Sequence, residues 1–292
     1  MRIQGVLACF LLLVARVGYA NDFQFHEVAA PDGVPLNVVS AGNPEGVPIV
    51  FLHGAYQSYL SFLPQLRDPA LAAKYHLVAI DMRGHGGSGK PWDSAAYARS
   101  KPWADDIRAV VTALGLSQPV LVGWSFGGYV ALDYVREYGG DALRGVVLIG
   151  SDGSLLPRPA VGGKQSGDLE LLQQNAKAFM AVMSAAPLRQ DALDRGYAAY
   201  LMMPPYARNA MRGKRLDNTD LVATLRAPTL VVLGGKDPSV PIEPLRDIVA
   251  KIPASQLQVF ENSGHSSFVE EAPRFNAALA DFVQRQAVAE SP

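Results

Sequence analysis

Val120-Leu121-Val122-Gly123-Trp124-Ser125-Phe126-Gly127-Gly128 reads as a short buried strand that runs straight into a tight turn and then a helix. Valine and leucine in an unbroken apolar run suit a strand covered on both faces. The segment from Phe126 to Tyr138 has helix length. In a Gly-x-Ser-x-Gly turn the serine takes a strained backbone conformation, and the flanking glycines let strand and helix pass closely. The serine hydroxyl is lifted out of the sheet, above a helix N-terminus that favours developing negative charge. Such a five-residue match arises readily by chance, and its position between a strand and a helix is what makes it specific.

Working outward, the same rhythm recurs. Ile49 to Leu52, Leu77 to Ile80, Val146 to Ile149 and Thr229 to Leu233 are apolar runs bounded by Gly, Pro or Asp. Helix-length segments lie between such runs, around Ala104 to Leu114 and Pro241 to Lys251. This alternation predicts βαβ units and an α/β fold with a doubly wound, mostly parallel sheet. Phe23 to Val28 and Leu36 to Ser40, parted by Pro31-Asp32-Gly33, predict a leading hairpin. From about Asp152 to Asn218 no strand is legible, and a Gly/Pro-rich entry leads into helical, Met-rich sequence. That stretch predicts an all-helical cap inserted between two strands.

A serine nucleophile needs a base, and the chain offers five histidines. His26 and His76 sit on predicted strands, and His53 and His85 belong to glycine-containing turns. His265, in Asn262-Ser263-Gly264-His265, follows the strand Gln256 to Phe260 and precedes the last helix. It therefore falls at the carboxyl edge of the sheet, where ligands and catalytic groups of open α/β sheets gather. The acid that holds the imidazole tautomer has two candidates. Asp237 ends Gly234-Gly235-Lys236-Asp237 after the strand Thr229 to Leu233, and Asp152 lies just beyond the preceding strand. Asp237 gives the chain order Ser, Asp, His; its competing reading is a cap for the helix from Pro241. Backbone amides of Ala55, after His53-Gly54, and of Phe126 are the candidate oxyanion donors.

Composition narrows the class. A formal net charge of −1 over 292 residues offers no basic excess for nucleic acid. Arg2, the apolar run Ile3 to Val14 and Gly18-Tyr19-Ala20 read as a short export signal, so residues 1–20 are expected to be removed and 21–292 to form one secreted or periplasmic domain. Such a segment is too short for a stable membrane anchor. Cys9, the single cysteine, lies inside it, which leaves the mature chain without thiol chemistry.

Four segments carry a resemblance: Phe51-Leu52-His53-Gly54, Asp81-Met82-Arg83-Gly84-His85-Gly86-Gly87-Ser88, Gly123 to Gly128, and Asn262 to His265. In kind and order they resemble the α/β-hydrolase superfamily, most closely its small bacterial branch of esterases and cofactor-free haloperoxidase-like enzymes. The resemblance implies an eight-stranded sheet, a helical cap after the sixth strand, and no metal or cofactor. It maps the nucleophile to Ser125, the acid to Asp237 and the base to His265. Haloperoxidase-like members commonly carry proline where this chain has Tyr56, which favours ester hydrolysis over perhydrolysis. The expected substrate is a small-molecule ester, lactone or other acyl compound. Tyr56, Trp124, Met183, Met203 and Tyr206 are candidates to line its pocket. Cleavage of a C–C bond, amide or thioester on the same triad, or a non-catalytic small-molecule receptor, are the alternatives the fold allows.

Overall fold

The computed structural model describes residues 23–157, 166–214 and 217–289; the proposed leader, 1–20, lies outside them. Eight strands form one sheet: β1 (Gln24–Ala29), β2 (Pro35–Gly42), β3 (Val47–Leu52), β4 (Tyr75–Ile80), β5 (Val120–Trp124), β6 (Gly145–Ile149), β7 (Thr229–Gly234) and β8 (Ser255–Phe260). Their spatial order is β1-β2-β4-β3-β5-β6-β7-β8. β1 and β2 are the predicted hairpin, and β2 pairs antiparallel with β4; every other pairing is parallel. The expected mostly parallel eight-stranded sheet is present.

The unbroken apolar runs are explained by two-sided burial. Every residue of β5, β6 and β7 is buried. Successive side chains point to opposite faces, so Leu121, Leu148 and Val231 join one core while Val122, Val147 and Val232 join the other. The first core packs beneath the helices Ser100–Ala113, Phe126–Tyr138 and Ile242–Val249, and the second beneath Ala272–Ala289. The edge strand β1 leaves Phe25 exposed.

Chain order reverses at β3, with β4 on one side and β5 on the other. Such a switch point opens a crevice at the carboxyl ends of the strands. The loops after Leu52 and Trp124 flank it.

Between β6 and β7 the described residues hold three substantial helices, Leu169–Ala181, Gln190–Met202 and Pro205–Arg212, and no strand. Asp168 caps the first by accepting from the Leu171 amide at 2.8 Å, and Pro205 opens the third. Entry and exit of this cap are tied together: Asn218 donates from its backbone to Ser154 O at 2.9 Å and from Nδ2 to Gly153 O at 3.0 Å. Among the described residues no helix is long and apolar enough to cross a membrane.

Candidate active site

Ser125 has φ 51° and ψ −115°, a region that L residues occupy only under constraint. The constraint is close packing. A Cβ on Gly123 would lie 2.4 Å from Gly127 O, and one on Gly127 would lie 2.1 Å from Leu52 O. Only glycine lets the helix Phe126–Tyr138 approach the ends of β3 and β5 this closely. The Ser125 amide donates to Ile149 O at 2.8 Å, which pins the turn to β6.

His265 and Asp237 meet through a second pair of glycine contacts. A Cβ on Gly234 would lie 2.0 Å from Gly264 O, so the loops after β7 and β8 pack backbone on backbone. Lys236 donates to Ser263 O at 2.9 Å across the same seam. There His265 Nδ1 donates to Asp237 Oδ2 at 2.7 Å, with the Asp237 side chain wholly buried. The other carboxylate oxygen accepts from the Ser239 amide at 2.7 Å. With Nδ1 protonated, the lone pair of His265 resides on Nε2. Asp237 does not cap the next helix, which begins at Ile242 without a side-chain cap. Asp152 is buried and accepts from the Ser154 amide at 3.2 Å. The bond to His265 Nδ1 comes from Asp237.

Trp124 ties this pair to the elbow. Its indole Nε1 donates to His265 O at 2.9 Å, and the two rings lie 5.9 Å apart. The imidazole also abuts Gly150, next to the carbonyl that receives the Ser125 amide: a Cβ there would lie 3.1 Å from Nδ1. The loops bearing serine, imidazole and carboxylate thus converge on one sheet edge. Beside them, Gln57 N donates to Gly54 O at 3.2 Å, closing a turn with Ala55 and Tyr56 at its corners. Among the described residues, the amides of Ala55 and Phe126 donate to no other group.

His53 has a supporting role. Nδ1 donates to Gly54 O at 2.8 Å and Nε2 accepts from the Met82 amide at 3.1 Å, which fixes a neutral ring behind the turn. Burial pushes its pKa down. His85 packs against it at 4.9 Å and donates from Nδ1 to Arg83 O; burial holds its pKa well below the usual value. His26 pairs with Ser40 Oγ at 2.8 Å on the distant hairpin.

The candidate pocket residues separate into two groups. Trp124 and Met183 share the core that reaches His265, and Tyr56 adjoins Ala55. Met203 belongs to the other core, with Tyr56 and Phe126, and Tyr206 packs against it. Met203 is fully buried against Gly84, and Tyr206 stacks on the exposed Trp92 at 3.8 Å while donating to Lys90 O at 2.9 Å. These two fasten the cap to the loop after β4. Gln57, which the sequence did not single out, does the same from the turn, its Nε2 donating to Gly196 O at 3.5 Å.

A family model for the alpha/beta hydrolase fold matches residues 47–272. Among solved structures, a candidate aryl esterase from Burkholderia cenocepacia superposes with a TM-score of 0.84 at 32% identity, covering 91% of this chain and 100% of that one. The esterase RhEst1 from Rhodococcus sp. ECU1013 superposes at 0.79 with 31% identity, covering 89% and 98%. Among characterised relatives, the 2-hydroxymuconate semialdehyde hydrolase of Pseudomonas sp. (strain CF600) is 30% identical over 86% of this chain and 91% of its own. With the Gly-x-Ser-x-Gly turn, the sheet order and these likenesses together, the chain belongs to the α/β-hydrolase superfamily, and it is a hydrolase.

Proposed function

We propose that this hydrolase cleaves small to medium carboxylic esters or lactones through an acyl-enzyme on Ser125. The observation that carries the reading is the 2.7 Å bond from His265 Nδ1 to the buried Asp237 carboxylate, at the sheet edge that bears the Ser125 elbow. In this reading His265 Nε2 takes the Ser125 proton as Oγ attacks the carbonyl carbon. The carbonyl π electrons move onto oxygen, where the Ala55 and Phe126 amides receive the charge. Collapse of the adduct expels the alcohol, which leaves with the proton held by His265. Water, deprotonated by the same imidazole, attacks the acyl-enzyme and releases the acid and Ser125. Preorganised donors at the oxyanion are often the largest single contribution to such rates.

The test pairs a fluorophosphonate probe with a panel of p-nitrophenyl esters of graded chain length. Wild type is expected to label at Ser125 and to turn over esters, whereas Ser125→Ala does neither while remaining folded. Near wild-type hydrolysis by Ser125→Ala would sink the proposal. Similarity to a 2-hydroxymuconate semialdehyde hydrolase supports a second reading, cleavage of a C–C bond on the same residues. A β-diketone in the panel separates the two. Residues 1–20 support export as a further proposal, with Asn21 expected as the first residue of protein recovered from the periplasm or medium. Intact Met1 in the cytosol would refute it.

A further inference from the structure

We infer that Arg208 is a positioning residue for the oxyanion hole, acting from the cap through Tyr56 on the turn that carries the Ala55 amide. This rests on the acyl-enzyme reading above and extends it to a residue of the cap.

The turn itself needs help. Gln57 N donates to Gly54 O, so Ala55 and Tyr56 are its second and third residues. Tyr56 has φ 62°. A positive φ at the third position is the mark of a type II turn, where glycine or asparagine is the usual occupant. A tyrosine there is strained, and such strain persists only where the surroundings impose it. Relaxation to negative φ would give a type I turn by flipping the peptide between Ala55 and Tyr56, reversing the Ala55 carbonyl and the Tyr56 amide and so the dipole that lies against the Ala55 donor.

The surroundings that impose it come from the cap. The Tyr56 ring is buried, edge-on to Phe179 at 5.6 Å and to Tyr200 at 5.3 Å. Arg208 Cζ lies 5.1 Å from the centroid of Tyr56 and 3.9 Å from that of Tyr200. Arg208 is fully buried on the third cap helix. Its Nε donates to Met203 O at 2.7 Å and its Nη2 to Tyr200 O, two carbonyls at the end of the second cap helix that have no donor within it. One guanidinium thus joins two cap helices and presses on the oxyanion turn.

What sets Arg208 apart from packing is its cost. Nη1 is buried without a hydrogen bond, and no carboxylate is among the groups that act on its charge. Burial lowers its pKa. Buried arginines are ordinarily paired, and an apolar residue of similar size would serve a purely structural cap better. The compensation comes from the π faces of Tyr56 and Tyr200, which a planar cation holds in place.

The experiment is a double-mutant cycle between Arg208→Met and Tyr56→Gly. Glycine adopts positive φ without strain, so the turn should no longer need the cap cation. Each variant is assayed for kcat and KM on a neutral p-nitrophenyl ester and for affinity to a trifluoromethyl ketone, whose adduct with Ser125 places an oxyanion in the hole. Arg208→Met alone is expected to lower kcat about tenfold or more with KM within about twofold, and to weaken the ketone by the same factor. In the Tyr56→Gly background the same substitution should cost less than about threefold. Arg208→Lys, which keeps the charge but loses the planar face, carries the same comparison if Arg208→Met does not fold. A change confined to KM, an equal loss in both backgrounds, or a loss limited to anionic esters would overturn the inference; the last would make Arg208 a reader of substrate charge. Wild type that neither turns over the ester nor takes up a fluorophosphonate would overturn the Ser125 reading itself, before any cap variant is compared.

Discussion

Asp152 and Asp237 both follow strands at the same sheet edge, and sequence alone leaves either able to serve His265. Geometry separates them: Asp237 meets Nδ1 at 2.7 Å, while Asp152 turns to the Ser154 amide. Asp237→Asn is therefore expected to lower kcat by about 10⁴-fold, because an amide there favours the wrong imidazole tautomer. Asp152→Asn should leave kcat within a few-fold, and a stopped assay on one ester distinguishes the two. His85 offers a residue-scale test of stability. Burial depresses its pKa in the folded state, so between that value and the unfolded value of about 6.5 the unfolded chain binds more protons. Its contribution is fully present above about pH 6.5 and is lost as pH falls below it. His85→Gln should flatten the dependence of unfolding free energy on pH by up to one proton, about 1.4 kcal/mol per pH unit, just below pH 6. Because the comparison is between wild type and variant, opposing groups such as Asp106, whose pKa burial pushes up to about 6, drop out. Parallel slopes in urea titrations at pH 5 and 6 would show that His85 does not titrate on unfolding.

At the scale of elements, the joint between β3, β5 and the helix Phe126–Tyr138 is the least forgiving part of the fold. A methyl group on Gly127 would lie 2.1 Å from the carbonyl oxygen of Leu52, against backbone that cannot rotate away. Gly127→Ala is expected to cost about 1–3 kcal/mol, and more if the helix must shift. Because the shift would move Phe126 N and Ser125 together, activity should fall further than stability does; chemical denaturation beside an ester assay measures both. This joint was legible in the sequence because its glycines, serine and apolar strand lie within nine residues. The central strands were legible too, since two-sided burial writes itself as unbroken apolar runs. Local signal failed where partners are distant. The helix predicted from Ala104 begins at Ser100, Pro102 being tolerated in its first turn. Short helices between Tyr59 and Ala72 gave no periodicity long enough to read. In the cap, Met-rich composition gave no sign that Met203 and Tyr206 pack on the loop after β4. Nothing in the neighbourhood of Arg208 in sequence indicates that its guanidinium faces a tyrosine more than 150 positions earlier.

For the whole molecule, the segment Asp81 to Ser88 acts as a fastener between the leading hairpin, the sheet and the helix Ser100–Ala113. Asp81 accepts from Asn37 Nδ2 at 2.8 Å and from the Tyr59 amide at 2.7 Å, joining β2 to the chain beyond the Gly54–Gln57 turn. Arg83 is fully buried and forms a two-point bond with Asp106 through Nε and Nη2, both contacts at 2.7 Å, while Nη1 donates to Asp32 Oδ2 at 2.8 Å and to Ala96 O at 3.0 Å. Two carboxylates share this guanidinium, but they differ in exposure: the Asp106 side chain is 5% exposed and that of Asp32 is 44%. An exposed partner contributes little, so Asp32→Asn should change stability by less than about 1 kcal/mol. Removing the buried cation is another matter. Arg83→Met leaves the Asp106 carboxylate in the core without its counter-ion, a change expected to cost about 3–5 kcal/mol at neutral pH. The sign of the pH dependence follows from Asp106. Its folded pKa, already raised by burial, would rise further without Arg83, so the neutral acid survives in the core at low pH and the penalty grows as pH climbs through that value. Urea unfolding of Arg83→Met and wild type at pH 5 and pH 8 should therefore give a larger gap at pH 8. A gap that is equal at both, or larger at pH 5, would mean that the guanidinium holds the three elements together by its geometry and not by neutralising Asp106.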